Sequence, residues 1–203
     1  MAVAVVRGEE ELFARTGHLF ATATSVACAA RDLNTWATTR RTSGFTRPEG
    51  VTIRKLYLAG VLLNPSTAQH VHEVARIGAE VRITRDEILE TIILDRRIAI
   101  LDGGDGCYSV LSGPEVAAVA SLFEAAWRAG TDLAVYDAQH AELRALAPRV
   151  LDLLASGCKD ETAARTLGLG VRTYRRRVAE LMDALGAESR FQAGARAREL
   201  GLV

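Results

Sequence analysis

The sequence has few of the residues that define disulfide-rich or metal-binding proteins. Its 203 residues include three cysteines, and aromatic residues make up only 5%. Cys28, Cys107 and Cys158 are odd in number and widely spaced, which argues against both a disulfide framework and a metal site and favours packing residues in a reducing compartment. Because 49% of the residues are hydrophobic and 25% charged, the composition excludes a disordered or fibrous chain and suits one or two folded domains.

Long hydrophobic runs are also missing. The best candidate, residues 19–30, contains three hydroxyl side chains and follows the acidic run Glu9–Glu11 where a signal peptide would carry basic residues. It is also too short to span a bilayer, which needs about 20 apolar residues. We therefore expect a cytoplasmic protein that does not bind membranes.

The formal net charge is zero, from 25 basic and 25 acidic residues, but the charges are unevenly distributed. Residues 1–141 contain 14 basic and 17 acidic side chains, whereas residues 142–203 contain 11 basic and 8 acidic ones. Between Glu161 and Glu180 all charged residues are arginines. Positive charge concentrated in one short segment is what a local anion-binding surface requires.

The first 135 residues have the pattern of a mixed α/β domain, in which strands and helices alternate before several strands follow one another. A loop is expected at residues 34–50, and a two-residue turn, Arg96-Arg97, is expected between the strands of a hairpin. The glycine-rich residues 103–106 indicate a further hairpin turn. The expected strands are 2–6, 26–33, a strand and turn over 53–63, 79–84, 91–95, 98–101 and 107–112, and the expected helices are 8–24, 65–78 and 112–129.

The last third of the chain is expected to be entirely helical. Apolar spacing and stop signals predict helices at 141–155, 160–167, 171–185 and 189–200. The fold class is therefore α+β, with a mixed α/β domain at residues 1–135 followed by an all-α four-helix domain at residues 141–203.

The second and third of these helices have the helix-turn-helix pattern. The turn Gly168-Leu169-Gly170 separates a scaffold helix, 160–167, from a recognition helix, 171–185, whose partner would be the major groove of DNA. Helical spacing directs Val178, Leu181 and Leu185 inward. The outward side then carries Arg172, Arg175, Arg176 and Ala179. A solvated charged face is the alternative interpretation, but such faces usually mix signs, and the 18 residues between Glu161 and Glu180 contain no carboxylate.

Residues 143–203 resemble the LuxR/GerE-type output domain of bacterial transcription factors. The resemblance rests on Val150-Leu151 with Gly157, Ala164, Leu167-Gly168, Arg172-Thr173 with Val178, Leu185-Gly186, and Ser189-Arg190 before Ala195. The chain departs from the family at Ala147 and Thr162, where glutamate is usual, at Arg177, where histidine is usual, and at Gly170, where a capping Ser or Thr is usual.

The resemblance implies specific roles for residues of the recognition helix. Arg175 and Arg176 would approach bases, Arg172, Thr173 and Lys159 would approach phosphates, and the last helix would pair two subunits. The expected DNA-binding residues are Lys159, Arg165, Arg172, Thr173, Arg175, Arg176, Arg177 and Ala179.

Residues 3–130 resemble the phospholipase-D-like domain of TrmB-type regulators, through VVRGEEEL, GAEVRI, IILDRRIAIL and SGPEVAAVASLFEAAW. Phospholipase D chemistry uses the spacing HxKxxxxD. Aligning Asp95 with the final aspartate places Ile88 at the histidine and Glu90 at the lysine. Ile88 cannot attack phosphorus, and Glu90 would repel a phosphate, so we expect no catalytic residues and no enzyme activity. Asp95 is interpreted as a turn residue.

Other chemical motifs are weaker. His70 and His72 are about 200° apart on a helix, so with Glu73 they favour a solvated surface over a metal site. Trp36, Phe45 and Tyr57 favour ordinary packing over a ligand pocket. We therefore expect neither metal nor cofactor, and the sequence identifies no small-molecule ligand.

These features predict a bacterial transcriptional regulator that binds double-stranded DNA. The resemblance implies a homodimer on an inverted repeat, controlled by a phospholipase-D-like sensor or dimerisation domain, with RNA polymerase as a further partner. One alternative is a protein-interaction module or antagonist with a degenerate helix-turn-helix that does not bind DNA, and another is a residual phosphodiesterase.

Overall fold

The computed structural model describes residues 2–30 and 50–203. The chain forms two compact units, and each is discontinuous in sequence. The expected loop at 34–50, with Trp36 and Phe45, lies outside the described residues except for Gly50. The first unit consists of Met1–Tyr57, Val74–Arg82 and Ile88–Gly130, and the second of Leu58–Glu73, Ile83–Glu87 and Thr131–Val203.

The strands form a mixed β-sheet of order β1-β7-β6-β5-β2-β3-β4-β8. Strands β2 and β3 pair in parallel, whereas β2–β5, β5–β6, β6–β7 and β1–β7 are antiparallel. The strands are β1 (Ala2–Arg7), β2 (Ser25–Ala30), β3 (Thr52–Leu58), β4 (Glu80–Thr84), β5 (Thr91–Leu94), β6 (Ile98–Asp102), β7 (Cys107–Ser112) and β8 (Thr131–Asp132).

Helices cover both faces of the sheet in the first unit. Alternate residues of β5 point to opposite faces, so Ile92 and Leu94 join a core with helix α1 (Glu9–Thr22) while Ile93 joins a core with helix α3 (Glu115–Ala129). Strand β5 is therefore buried throughout, which explains its uninterrupted apolar run. This arrangement confirms the expected mixed α/β character. Helix α2 (Pro65–Arg76) lies between β3 and β4 in sequence.

The hairpin between β5 and β6 turns one residue earlier than the sequence suggested. Asp95 and Arg96 have φ values of 50° and 56°, and the Arg97 amide donates to the Leu94 carbonyl at 2.9 Å. The central residues are therefore Asp95-Arg96 instead of Arg96-Arg97, and positive φ at both is the signature of a type I′ turn. The second expected hairpin turn, at 103–106, joins β6 to β7 as predicted.

The second unit contains the four expected C-terminal helices. They are α4 (Leu133–Ala155), α5 (Asp160–Leu167), α6 (Val171–Ala184) and α7 (Arg190–Glu199). Helix α4 begins at Leu133 instead of residue 141, because the Asp132 side chain caps it by accepting from the Ala134 amide and Tyr136 is buried one turn later.

The second unit also includes a segment from the first half of the chain. Strand β3 ends at Leu58, and the expected turn after it is a buried 3-10 helix, Ala59–Leu63. A Cβ atom added to Gly60 would lie 2.9 Å from Leu200 Cδ1, so this 3-10 helix packs closely beside the C-terminal end of α7. The core of the second unit therefore draws on residues that are distant in sequence from its helices.

Candidate nucleic-acid interface

A tight turn joins helices α5 and α6, and its geometry depends on one glycine. Gly168 has φ 69° and ψ 26°, the left-handed conformation that ends helices, and the Leu169 amide donates to the Ala164 carbonyl at 2.8 Å. Gly170 precedes α6 in the extended conformation usual for an N-cap, but it has no side chain, so the amides of the first turn of α6 have no side-chain cap. The loss of the usual Ser or Thr is therefore compatible with the observed turn.

One face of α6 anchors it in the second unit. Tyr174, Val178, Leu181 and Leu185 are buried, at a spacing that places them along one side of the helix. The sequence identified the last three but not Tyr174, which is 1% exposed and whose pKa is raised chiefly by burial. Four anchoring residues fix which side of α6 faces away from the core.

The outward side of α6 carries three of the four expected cationic residues of this helix. Arg172, Arg175, Arg176 and Ala179 are exposed, and Thr173 is partly buried beside them. The three exposed arginines lie in the first two turns, as the sequence indicated. The structure therefore places these three arginines on the exposed side of α6 near its N-terminal end.

The exposed cations differ in how strongly they are already engaged. Arg176 Nε lies 3.6 Å from Glu180 Oε1, an exposed pair of the kind that is worth little in water. Within the described part of the chain, no carboxylate oxygen lies within 4.0 Å of Lys159, Arg165 or Arg172. These three cations remain available to an anionic partner.

Arg177 does not belong to the exposed surface, which corrects the sequence-based expectation. It is only 8% exposed, and its guanidinium pairs with Glu142 of α4 and, at 2.7 Å, with Glu180. Successive side chains of a helix point in directions about 100° apart around its axis. The Arg177 side chain therefore points away from that of Arg176 and faces α4. Arg177 therefore joins α6 to α4 and is not available to DNA in this structure.

Asp160 lies at the centre of a junction between α5, α6 and α7. Its Oδ2 accepts from Arg175 Nε at 2.8 Å, and its two carboxylate oxygens accept from Arg190 Nη1 and Nη2 at 2.7 and 3.2 Å. Arg190, and then Arg175, lower the pKa of the Asp160 carboxyl to about 2. Sequence reasoning missed this junction because 15 and 30 residues separate Asp160 from its partners.

The residues aligned with a phosphodiesterase site have other environments. The Asp95 carboxylate accepts from the Thr24 amide, the Thr24 hydroxyl and the Ser25 amide at 2.8–2.9 Å. Although partial burial opposes ionisation, these bonds lower the pKa of Asp95. Ile88 packs against a sheet core and Glu90 is buried. Asp95 is thus a residue of the β5–β6 turn, as the sequence indicated, and its side chain connects that turn to the start of β2.

The structure also bears on the metal site and the membrane span that the sequence raised. His72 Nε2 lies 2.5 Å from Asp137 Oδ2 on α4, so this imidazole pairs with a carboxylate. Among the residues described, no group of three His, Cys, Asp or Glu side chains could hold a metal ion, and the three cysteines are free thiols. No helix in the same residues has the length and apolar character needed to cross a bilayer.

The chain is similar to a known regulatory protein. It is 32% identical over 160 residues to the bialaphos biosynthetic pathway regulatory protein of Streptomyces hygroscopicus. The match covers 76% of this chain but 62% of that protein, so the chain spans about three fifths of its relative's length. No protein-family model matches the chain.

Two solved structures share part of the backbone arrangement. TrmBL2, an archaeal chromatin protein described with a novel mode of DNA binding, gives a TM-score of 0.47 at 18% identity, over 66% of this chain and 55% of that one. Nuc, a phospholipase D family member from Salmonella typhimurium, gives 0.49 at 12% identity, over 64% and 97%. Both TM-scores lie below 0.5, so neither likeness assigns this chain a fold or a function.

Proposed function

We propose that this chain is a DNA-binding transcriptional regulator whose helix α6 enters the major groove. The observation that carries the proposal is the placement of Arg172, Arg175 and Arg176 in the first two turns of α6. The opposite face of that helix is buried, and a tight turn connects it to α5. An exposed helix end with clustered guanidinium groups matches the donor geometry that guanine edges and phosphates accept.

We assign the exposed residues to base edges or to phosphates according to their positions and their existing ion pairs. Arg175 and Arg176 would contact base edges, and Ala179 would provide an apolar contact further along the helix. The cations without a neighbouring carboxylate, Arg172, Arg165 and Lys159, would bind phosphates, assisted by the Thr173 hydroxyl. Arg177 is left out of this surface because it is buried in ion pairs.

The similarity to a pathway regulatory protein, over 76% of this chain, supports a regulatory role. In this proposal the protein acts as a homodimer on an inverted repeat, and the last helix pairs the two subunits. Residues 1–135 would serve as a phospholipase-D-like sensor or dimerisation domain without phosphodiesterase activity. RNA polymerase would be a further partner of the DNA-bound dimer.

Selection from a random DNA library, followed by fluorescence anisotropy on the selected site, tests the proposal. Replacing Arg175 and Arg176 together by Ala should weaken binding about 100-fold, since each good base contact contributes about 1–3 kcal/mol. Arg76→Ala is the matched control, because Arg76 is an exposed arginine on a different helix, α2. It should leave the affinity within about twofold, as surface substitutions usually do.

The ion pairs of the surface favour one competing function. Because Arg175 and Arg176 already lie beside Asp160 and Glu180, the helix could serve a protein partner instead of DNA. Failure to enrich any sequence, with a stable folded protein, would support that interaction module and contradict DNA binding. An unchanged affinity in the double variant would show that another surface binds the DNA.

A further inference from the structure

Arg175 has a different bonding pattern from the other exposed arginines of α6. Its Nε donates to Asp160 Oδ2 at 2.8 Å, and its Nη2 lies 3.8 Å from Glu161 Oε1. The side chain nevertheless remains 60% exposed. One edge of this guanidinium is held by carboxylates while the rest of the group faces solvent.

Asp160 is itself held in place. Arg190 binds both of its oxygens, and the carboxylate is only 14% exposed, at the first residue of α5. A negative charge in the first turn of a helix also interacts favourably with the helix dipole. The acceptor that engages Arg175 is therefore fixed by two other helices.

We propose that Asp160 is a positioning residue that orients Arg175 to read a guanine. This inference rests on the proposed DNA-binding function and adds a specificity determinant to it. Asp160 and Glu161 lie along the Nε/Nη2 edge of the guanidinium, which leaves its terminal edge, with one hydrogen each of Nη1 and Nη2, for the groove. Two such donors match guanine O6 and N7. Holding a long flexible side chain in one orientation reduces the entropy lost on binding.

The pairing with Asp160 should affect the contribution of Arg175 to sequence-specific DNA binding differently from its contribution to non-specific binding. Asp160 offsets the charge of Arg175, so this arginine contributes little to general attraction for phosphates. Removing the carboxylate should therefore weaken recognition of one base pair without weakening affinity for random DNA. A residue that only stabilised the fold would weaken both.

The first step is to find the base pair that Arg175 reads. It is the base pair of the selected site whose substitution weakens binding of the wild-type protein but not of Arg175→Ala. Asp160→Asn should then reduce discrimination at that base pair about tenfold, within the range of a bidentate contact, while affinity for random DNA stays equal or rises. In the Arg175→Ala background, Asp160→Asn should have no further effect on discrimination.

Asp152→Asn is the matched control, because it removes an exposed carboxylate of α4 that makes no ion pair within the described residues. It should retain discrimination within about threefold. Equal losses of discrimination in Asp152→Asn and Asp160→Asn would show that the loss of any one negative charge is sufficient and would overturn the positioning role, as would unchanged discrimination in Asp160→Asn. A wild-type protein that enriches no sequence would instead overturn the proposed function, and this inference with it.

A measurement on the wild-type protein does not depend on whether Asp160→Asn folds. The Nε–H resonance of Arg175 in a ¹⁵N NMR spectrum should exchange slowly with water in both the free and the DNA-bound protein. Rapid exchange in the complex would show that Arg175 leaves Asp160 when it binds, and would overturn the positioning role.

Discussion

Three consecutive arginines of α6 have three different environments. Arg175 is held by Asp160, Arg176 makes a weak exposed pair with Glu180, and Arg177 is buried against α4. The sequence assigned all three to DNA because it shows their charge but not the helices that face them. The structure separates one proposed base reader with a fixed orientation from a residue whose role is packing.

Arg177→Ala should lower the free energy of unfolding by about 1–3 kcal/mol, less than for a fully buried pair because its partner Glu142 is 69% exposed and can be rehydrated. Urea unfolding followed by circular dichroism measures this effect.

The salt dependence of DNA affinity distinguishes Arg177 from a residue that binds a phosphate. Arg172→Ala should reduce the slope of log affinity against log salt by about 1, as expected for one lost phosphate contact. Arg177→Ala should leave that slope unchanged. A reduced slope in Arg177→Ala would mean that the buried pair opens when DNA binds.

At the scale of elements, the α5–α6 turn contains two glycines with different requirements. Gly168 adopts φ 69°, whereas Gly170 adopts φ −69°, and an added Cβ would meet no atom within 4 Å at either position. Any difference between their substitutions therefore reflects backbone conformation and not a steric clash.

Gly168→Ala should destabilise the protein by about 1 kcal/mol or more, because an L-residue is strained in the left-handed region. Gly170→Ala is the control and should be neutral or slightly stabilising, since it restricts the unfolded chain at an allowed φ. Thermal unfolding of the two variants gives the comparison. Equal destabilisation would contradict the observed turn geometry.

At the scale of the whole molecule, the second unit is not a simple C-terminal domain. Val61, Leu62, Leu63 and Val71 are buried in residues 58–73, which belong to this unit although they precede its long helices in sequence. The fragment 141–203 also lacks the first turns of α4, including buried Leu133 and Tyr136. A domain that began at residue 141 would lack these buried side chains, and the apolar surface that packs against them would be exposed to solvent.

A fragment of residues 131–203 should therefore not show cooperative unfolding, because it lacks the apolar side chains of residues 58–73. Joining residues 58–87 to residues 131–203 through a Gly/Ser linker should restore a cooperative transition. Calorimetry of the two proteins measures this difference. A cooperative transition of the shorter fragment would show that the C-terminal helices fold by themselves.

The sequence by itself determined most of the local structure. Apolar periodicity and terminal residues located α5 at its observed bounds and the ends of α6 and α7 to within one residue, because these signals act over one or two helical turns. The alternation in β5, which packs Ile92 and Ile93 into different cores, has the same local origin.

Only the tertiary structure decided which charged residues remain free. Asp160 meets Arg190 across 30 residues, Arg177 meets Glu142 across 35, and Gly60 packs beside Leu200 across 140. Such contacts depend on how helices pack, and a single sequence carries no local signal for them. The local pattern therefore identified the basic helix, whereas packing determined which of its arginines face outward.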